Sequence, residues 1–100
     1  MKEVIFHPQA RTELDESVAL YESRLDGLGQ RFLEAVEETT ERIAATPDAG
    51  SPLDGGYRKR LVPGFPYSLI YRVWEDYAYL VAVAHQHRRP DYWRRRTDRR

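Results

Sequence analysis

The side chains best suited to chemistry lie in residues 85–93, where histidine, arginine, tyrosine and tryptophan occur together. Proteins hold single-stranded RNA by arginine contacts to phosphate combined with aromatic stacking. Cleavage through the 2′-hydroxyl group would need a general base, a general acid and cations that stabilise the phosphorane charge. Under this hypothesis the candidate catalytic residues are His85 and Tyr92 for proton transfer, and Arg58, Arg72 and Arg88 for charge stabilisation.

A second interpretation gives the same segment no catalytic role. Trp93 would then cap the core, and the arginine run would be a solvated tail or a surface for a partner protein. The residues alone favour this interpretation. Separately from both interpretations, the residues expected to bind a target or a nucleic acid are Arg58, Lys59, Arg60, Arg88, Arg89, Trp93, Arg94, Arg95 and Arg96.

Metal and cofactor chemistry find little support in the sequence. His85 and His87 fall on the same side of an extended strand, but no third ligand follows at a suitable spacing. The chain has no cysteine, which excludes disulfides and thiol nucleophiles. The glycine-rich phosphate-binding motifs and the GxSxG motif do not occur either. We therefore expect no metal and no cofactor, and we interpret His7 as the residue that begins a helix.

Charge is distributed unevenly along the 100 residues, although the formal net charge is zero. Residues 1–50 carry 5 basic and 11 acidic side chains, whereas residues 51–100 carry 11 basic and 5 acidic ones. Such a division within one small protein predicts a basic face for a polyanion or for an acidic partner.

Two amphipathic helices must position these residues together with a set of strands. Apolar spacing predicts a helix over residues 8–25 and a second over 30–46, which Pro47 ends. The first buried stripe is Ala10, Leu14, Val18, Tyr21, Leu25 and Leu28. The second is Phe32, Leu33, Val36, Thr40 and Ile43, opposite an acidic face of Glu34, Glu37, Glu38 and Glu41.

Strands are predicted at residues 4–6, 57–62, 67–74 and 77–85, with a loop at 47–56 and a short helix from Pro90. The order β-α-α-β-β-β defines an α+β fold, in which a helical hairpin covers one face of a mostly antiparallel sheet. The basic tail, residues 88–100, or a partner must cover the other face or an edge. Ile43, Tyr71, Leu80 and Ala82 should be buried.

The length predicts a single domain over residues 1–100. The longest apolar run is far too short to cross a bilayer, and the first residues lack the apolar stretch of a signal peptide. We therefore expect a cytoplasmic protein that does not contact membranes.

Four segments, in order, resemble a known family. They are residues 4–10 with Glu13-Leu14, the Pro-Asp-Ala-Gly of residues 47–50, the strand 67–73 with its Tyr-x-Leu-x-Tyr pattern, and an ending that runs from His85 through Arg-Arg-Pro-x-Tyr-Trp-Arg. Over nearly its whole length the chain is similar to the ParE/RelE superfamily, the toxins of bacterial type II toxin–antitoxin systems. His7 replaces the usual serine before the first helix, which should weaken the helix cap.

The resemblance implies a small toxin that forms a hetero-oligomer with a cognate antitoxin. ParE-like members, which include plasmid stabilisation proteins, act on DNA gyrase, and the ending of this chain is similar to theirs. RelE-like members are ribosome-dependent mRNA endonucleases, some of which carry a catalytic histidine at the position that His85 matches. We expect a ParE-like gyrase inhibitor. The alternatives are a RelE-like endonuclease and a non-toxic interaction protein with the same fold.

Overall fold

Two helices lie on one face of a five-stranded sheet in the computed structural model, which describes residues 2–97. The elements, in chain order, are β1 (Glu3–Phe6), α1 (Pro8–Arg24), α2 (Leu28–Ala45), β2 (Ser51–Leu53), β3 (Tyr57–Leu61), β4 (Tyr67–Val73) and β5 (Tyr77–His85). The sheet order is β1-β5-β4-β3-β2, with β1 parallel to β5 and all other pairs antiparallel. The predicted α+β fold is confirmed.

The strand β2 was missed, because its residues were predicted to form part of a loop. Ser51 pairs with Lys59 and Leu53 with Tyr57, so β2 extends the sheet beyond β3. Pro52 lies in the middle of this edge strand, a position that tolerates a residue without an N–H group. The strand has only three residues, and its pairing with β3 rather than its own pattern makes it extended.

The hairpin between α1 and α2 is tighter than the sequence predicted. The Glu22 carboxylate accepts hydrogen bonds from the N–H groups of Gly27 at 2.8 Å and Gly29 at 2.9 Å, and so caps α2 from the side chain of α1. This cap lets α2 begin at Leu28 rather than at residue 30. Leu25 is 58% exposed, so the prediction that the buried stripe of α1 continues through Leu25 and Leu28 was wrong.

Gly29 allows the close approach of the two helices. A Cβ atom at this position would lie 2.5 Å from the carbonyl oxygen of Val18 and 2.9 Å from the Cβ of Glu22. Both distances are far below van der Waals contact, so only glycine fits here.

The core occupies the space between the helices and the inner face of the sheet, defined as the face that α1 and α2 cover. Ile43, Tyr71, Leu80 and Ala82 are all fully buried, as predicted, although Ala82 belongs to the opposite, outer face. One position of the α2 stripe was wrong: Thr39 rather than Thr40 is buried, and its hydroxyl group donates to the Ala35 carbonyl.

His7 caps α1 in the place where the family usually has serine. Its Nδ1 atom accepts a hydrogen bond from the Gln9 N–H at 3.0 Å, and Pro8 occupies the first helical position. Burial, followed by the charge of Arg96, lowers the pKa of His7 below its usual value. The imidazole therefore stays neutral near pH 7, the state in which it accepts this bond.

The C-terminal segment, residues 86–97, folds back over the sheet. The prediction of a helix from Pro90 is wrong. Residues 90–93 form a turn in which Asp91 has a positive φ of 64°. A single 3₁₀ turn follows at Arg94–Thr97. Residues 98–100 of the predicted tail lie outside the described residues. Within residues 2–97, no helix is long and apolar enough to span a membrane.

Candidate functional site

The C-terminal segment covers the outer face of the sheet through Trp93. This indole is 3% exposed and packs with Ile70 and Ala82, and its ring lies 4.8 Å from that of Tyr57. Of the two covers expected for the second face, the tail or a partner, the structure shows the tail at these residues. Trp93 is therefore a core residue and offers no ring to a ligand.

A buried charged cluster, which we call the Glu13 cluster, fixes the segment to α1. The Glu13 carboxylate accepts hydrogen bonds from the Tyr92 hydroxyl at 2.7 Å and from Arg96, whose Nη1 and Nη2 atoms lie 3.0 and 2.8 Å away. Arg88 lies further off, at 3.9 Å. The side chains of Glu13 and Arg96 are only 13% and 10% exposed, so the pair is largely removed from water.

The Glu13 cluster also completes the edge of β5 where β1 ends. Beyond the bond from the His7 N–H to the Leu80 carbonyl, no strand among the described residues lies beside β5 on this side. Glu13 accepts from the Val83 N–H at 3.0 Å, and Arg96 donates to the Val81 carbonyl at 3.0 Å. A register shift at this point makes Val81 an extra residue in β5. The ion pair therefore satisfies the backbone groups that a bulge and a strand end leave open.

Tyr92 is held in a state unsuited to proton transfer. Burial, reinforced by the hydrogen bond to Glu13, raises its pKa well above the usual tyrosine value. The ring is covered by the guanidinium groups of Arg88, 3.8 Å from its centroid, and Arg96, at 5.0 Å. Its hydroxyl group and its ring are thus both engaged within the protein.

His85 lies at the end of β5 beside several cations. Its Nδ1 atom accepts from the His87 N–H at 3.0 Å, and its ring packs edge-on against Tyr67 at 5.0 Å. Lys59, Arg88 and Arg89 line the same cavity as His85, of about 280 Å³. One proton-transfer candidate and three cations are therefore brought together here. Across residues 2–97, no group of three or more acidic or histidine side chains could hold a metal ion.

The remaining predicted site residues on the strands are separated. Arg58 points to the inner side, where it donates to the Gly50 carbonyl at 2.8 Å, and Arg60 reaches Thr46. Arg72 belongs to the outer face, and its guanidinium group lies over the rings of Tyr57 and Trp74. Arg58 and Arg72 therefore lie on opposite faces of the sheet, and the five candidate catalytic residues do not form one site.

The arginines of the C-terminal segment have two kinds of surroundings. Arg94 pairs with Asp91 at 2.9 Å, donates to the Asp54 carbonyl and lies over Trp93, so it holds the segment in place. The others gather at the start of α1 around a cavity of about 390 Å³. Its lining residues are Gln9, Arg88, Arg89, Tyr92, Arg95 and Arg96, and we call it the arginine cavity.

Glu13 and Glu22 are the important residues to which sequence reasoning gave no role. Glu13 was noted only as part of a motif, and its partners lie about seventy or more residues further along the chain. One signal in the sequence could have found Glu13. It is an acidic residue directly before the buried Leu14, on α1, and the basic C-terminal segment has to lie against the same fold.

Comparisons with known proteins agree with this architecture. The family model for the ParE toxin of the type II toxin–antitoxin system parDE matches residues 4–90. Among similar solved structures is a chain described as the chromosomal ParDE TA system from P. aeruginosa. The two structures superpose with a TM-score of 0.74 and are 19% identical in sequence, and the match covers 85% of this chain and 96% of that chain. This shows that the two folds are alike. No curated protein gives a significant match.

Proposed function

Because the chain belongs to the ParE toxin family of type II toxin–antitoxin systems, we propose that it inhibits DNA gyrase by binding it and that a cognate antitoxin neutralises it. The observation that carries this proposal is the Glu13 cluster. It commits Tyr92, one of the two proton-transfer candidates of the nuclease hypothesis, to holding the fold together with Arg96. A toxin that acts by binding needs a positioned surface, and this cluster positions the C-terminal segment.

The first test of this proposal is toxicity on induction without antitoxin. A binding toxin has no indispensable proton-transfer group, so His85→Ala and Tyr92→Phe should both arrest growth at matched protein levels. Deleting residues 94–100 also removes Arg96 and hence part of the Glu13 cluster. The exposed pair Arg89→Gln and Arg95→Gln is therefore the cleaner charge variant, and we expect it to weaken toxicity.

The second test identifies the target. Purified protein should inhibit supercoiling by gyrase and leave mRNA on translating ribosomes intact. If supercoiling proceeds normally at saturating protein, the gyrase proposal fails. If induction causes no growth arrest at all, the chain is a non-toxic interaction protein.

A ribosome-dependent endonuclease is the second candidate, and the cavity shared by His85, Lys59, Arg88 and Arg89 favours it. In this case His85 acts as the acid or base through Nε2, and the cations stabilise the phosphorane. Replacing His85 should then reduce cleavage by about a hundredfold or more. Loss of toxicity in His85→Ala alone, with the protein level maintained, would support the endonuclease and refute the gyrase proposal.

For the antitoxin we propose a site at the β2–β3 edge. Leu61 is 70% exposed where β3 continues past the end of β2. Lys59 and Arg60 precede it on β3, and all three residues line an open cavity of about 450 Å³. An extended segment with acidic and apolar side chains matches this surface and can add its backbone to the edge. The cations imply that binding weakens as salt rises.

The antitoxin site can be tested with two matched leucines. Leu61→Ser should weaken antitoxin binding, whereas Leu25→Ser, which is 58% exposed at the far end of the hairpin, should not. Equal effects of the two substitutions would place the antitoxin elsewhere. An affinity that is the same at low and high salt would refute the electrostatic part.

A further inference from the structure

The arginine cavity is lined by four cations that converge from one short segment. Arg88, Arg89, Arg95 and Arg96 share its wall with Gln9 and Tyr92. Glu13 supplies one compensating charge, which Arg96 takes up at 2.8 Å and Arg88 shares at 3.9 Å. Like charges brought this close repel one another unless an anion binds between them.

Two of these arginines have no counter-charge among residues 2–97. Arg89 and Arg95 are exposed, and their guanidinium groups form no ion pair or hydrogen bond with residues 2–97. The side chain of Arg88 is 52% exposed. The cavity therefore offers two to three guanidinium groups to an external anion. Each can donate two parallel hydrogen bonds to phosphate oxygens.

The aromatic residues of the segment offer nothing further to a ligand. Trp93 is buried, and the guanidinium groups of Arg88 and Arg96 lie over the ring of Tyr92. Recognition of unpaired bases needs an open aromatic ring. A peptide partner needs an apolar anchor in a pocket. Since both are missing from the described lining, the cavity presents charge alone.

We propose that the arginine cavity binds the phosphodiester backbone of a nucleic acid without regard to its sequence. This site goes beyond gyrase inhibition and requires neither gyrase nor the antitoxin. With two to three phosphates neutralised, the logarithm of the association constant should fall with the logarithm of salt concentration with a slope of about −2 to −3.

The experiment measures fluorescence anisotropy of a short labelled DNA duplex titrated with the full chain, between about 50 and 200 mM salt. The double variant Arg89→Gln/Arg95→Gln should bind about tenfold more weakly or worse, and its salt slope should shrink by about 2. The matched control is Arg31→Gln/Arg42→Gln, which removes the same charge from exposed positions on α2. It should bind like the unaltered chain, and both variants should keep the unfolding midpoint.

Further titrations in the same experiment identify the ligand. Two duplexes of unrelated sequence should bind equally, and a single-stranded RNA of equal length shows which nucleic acid binds more tightly through the same chemistry. The proposal is overturned if the control variant loses as much affinity as the cavity variant, if the duplexes differ clearly, or if a polyglutamate peptide of equal charge displaces the DNA. The last result would assign the cavity to an acidic protein. The binding assay contains no gyrase, so a negative result here leaves the supercoiling test of the gyrase proposal standing.

Discussion

Replacing Glu13 by alanine is the sharpest perturbation that the structure offers. The substitution removes the acceptor for the Tyr92 hydroxyl, the Val83 N–H and both Nη atoms of Arg96. Arg96 is left largely buried, with the carbonyl of Val81 and the hydroxyl group of Tyr92 as its remaining hydrogen-bond partners among the described residues. Breaking a buried ion pair from one side costs about 3–5 kcal/mol, because an uncompensated charge stays behind.

That cost is large for a protein of this size, whose unfolding free energy is of the order of 5–15 kcal/mol. In urea denaturation, the midpoint of Glu13→Ala should fall strongly while the slope stays the same. Glu16→Ala is the matched control: the same helix and the same charge, but an exposed side chain. It should change the unfolding free energy by less than about 0.5 kcal/mol.

Two further measurements separate the Glu13 cluster from a general loss of helix stability. A double-mutant cycle with Arg96→Ala should give a coupling energy of about 0.5–3 kcal/mol. In a Trp74→Phe background Trp93 is the sole tryptophan, so release of the C-terminal segment should shift its emission to the red. Additive single mutants, or a cost for Glu13→Ala below about 1 kcal/mol, would refute the role assigned to the cluster.

Three other predictions concern the helices. Gly29→Ala should lower the unfolding free energy by about 1–3 kcal/mol, because its Cβ would meet the backbone oxygen of Val18, whereas the exposed Gln30→Ala should have little effect in the same denaturation experiment. The pKa of His7 is lowered in the folded state, so the unfolded chain binds more protons and stability should fall as pH drops below about 6.5; the urea midpoint of His7→Ser, whose cap does not titrate, should lose this dependence. Ile43 is fully buried, so Ile43→Ala should lower the unfolding free energy by about 2–5 kcal/mol and Ile43→Val by about 0.5–1.5 kcal/mol. A smaller loss for the alanine variant than for the valine variant would contradict the place of Ile43 in the core.

Patterns confined to neighbouring residues predicted most of the fold. The order of residues along β4 follows its two faces, with Leu69 and Tyr71 on the inner face and Ile70 between them on the outer face. The spacing of Phe32, Val36 and Ile43 correctly gave the buried side of α2. These signals are strong because a strand buries every second residue and a helix every third or fourth. The apolar residues therefore repeat within a few positions of the sequence.

Features that depend on a specific partner rather than on a periodic pattern could not be predicted in this way. The strand β2 exists through its pairing with β3, and α2 starts early because Glu22 reaches across the hairpin. The candidate site was misjudged for the same reason. The run of arginines looked uniform in sequence, but Glu13 singles out Arg96 for the interior and leaves Arg89 and Arg95 at the surface.

The pairing of β1 with β5 has a consequence for synthesis. Glu3 lies beside Tyr77, and α1 and α2 are complete long before β4 and β5 are made. A nascent chain that has just left the ribosome therefore exposes the apolar stripe of its helices with no sheet to cover it. Such non-local topology folds slowly, and incomplete chains of this kind are prone to aggregation. Premature termination anywhere before β5 thus yields an unfolded fragment rather than a truncated protein with residual activity.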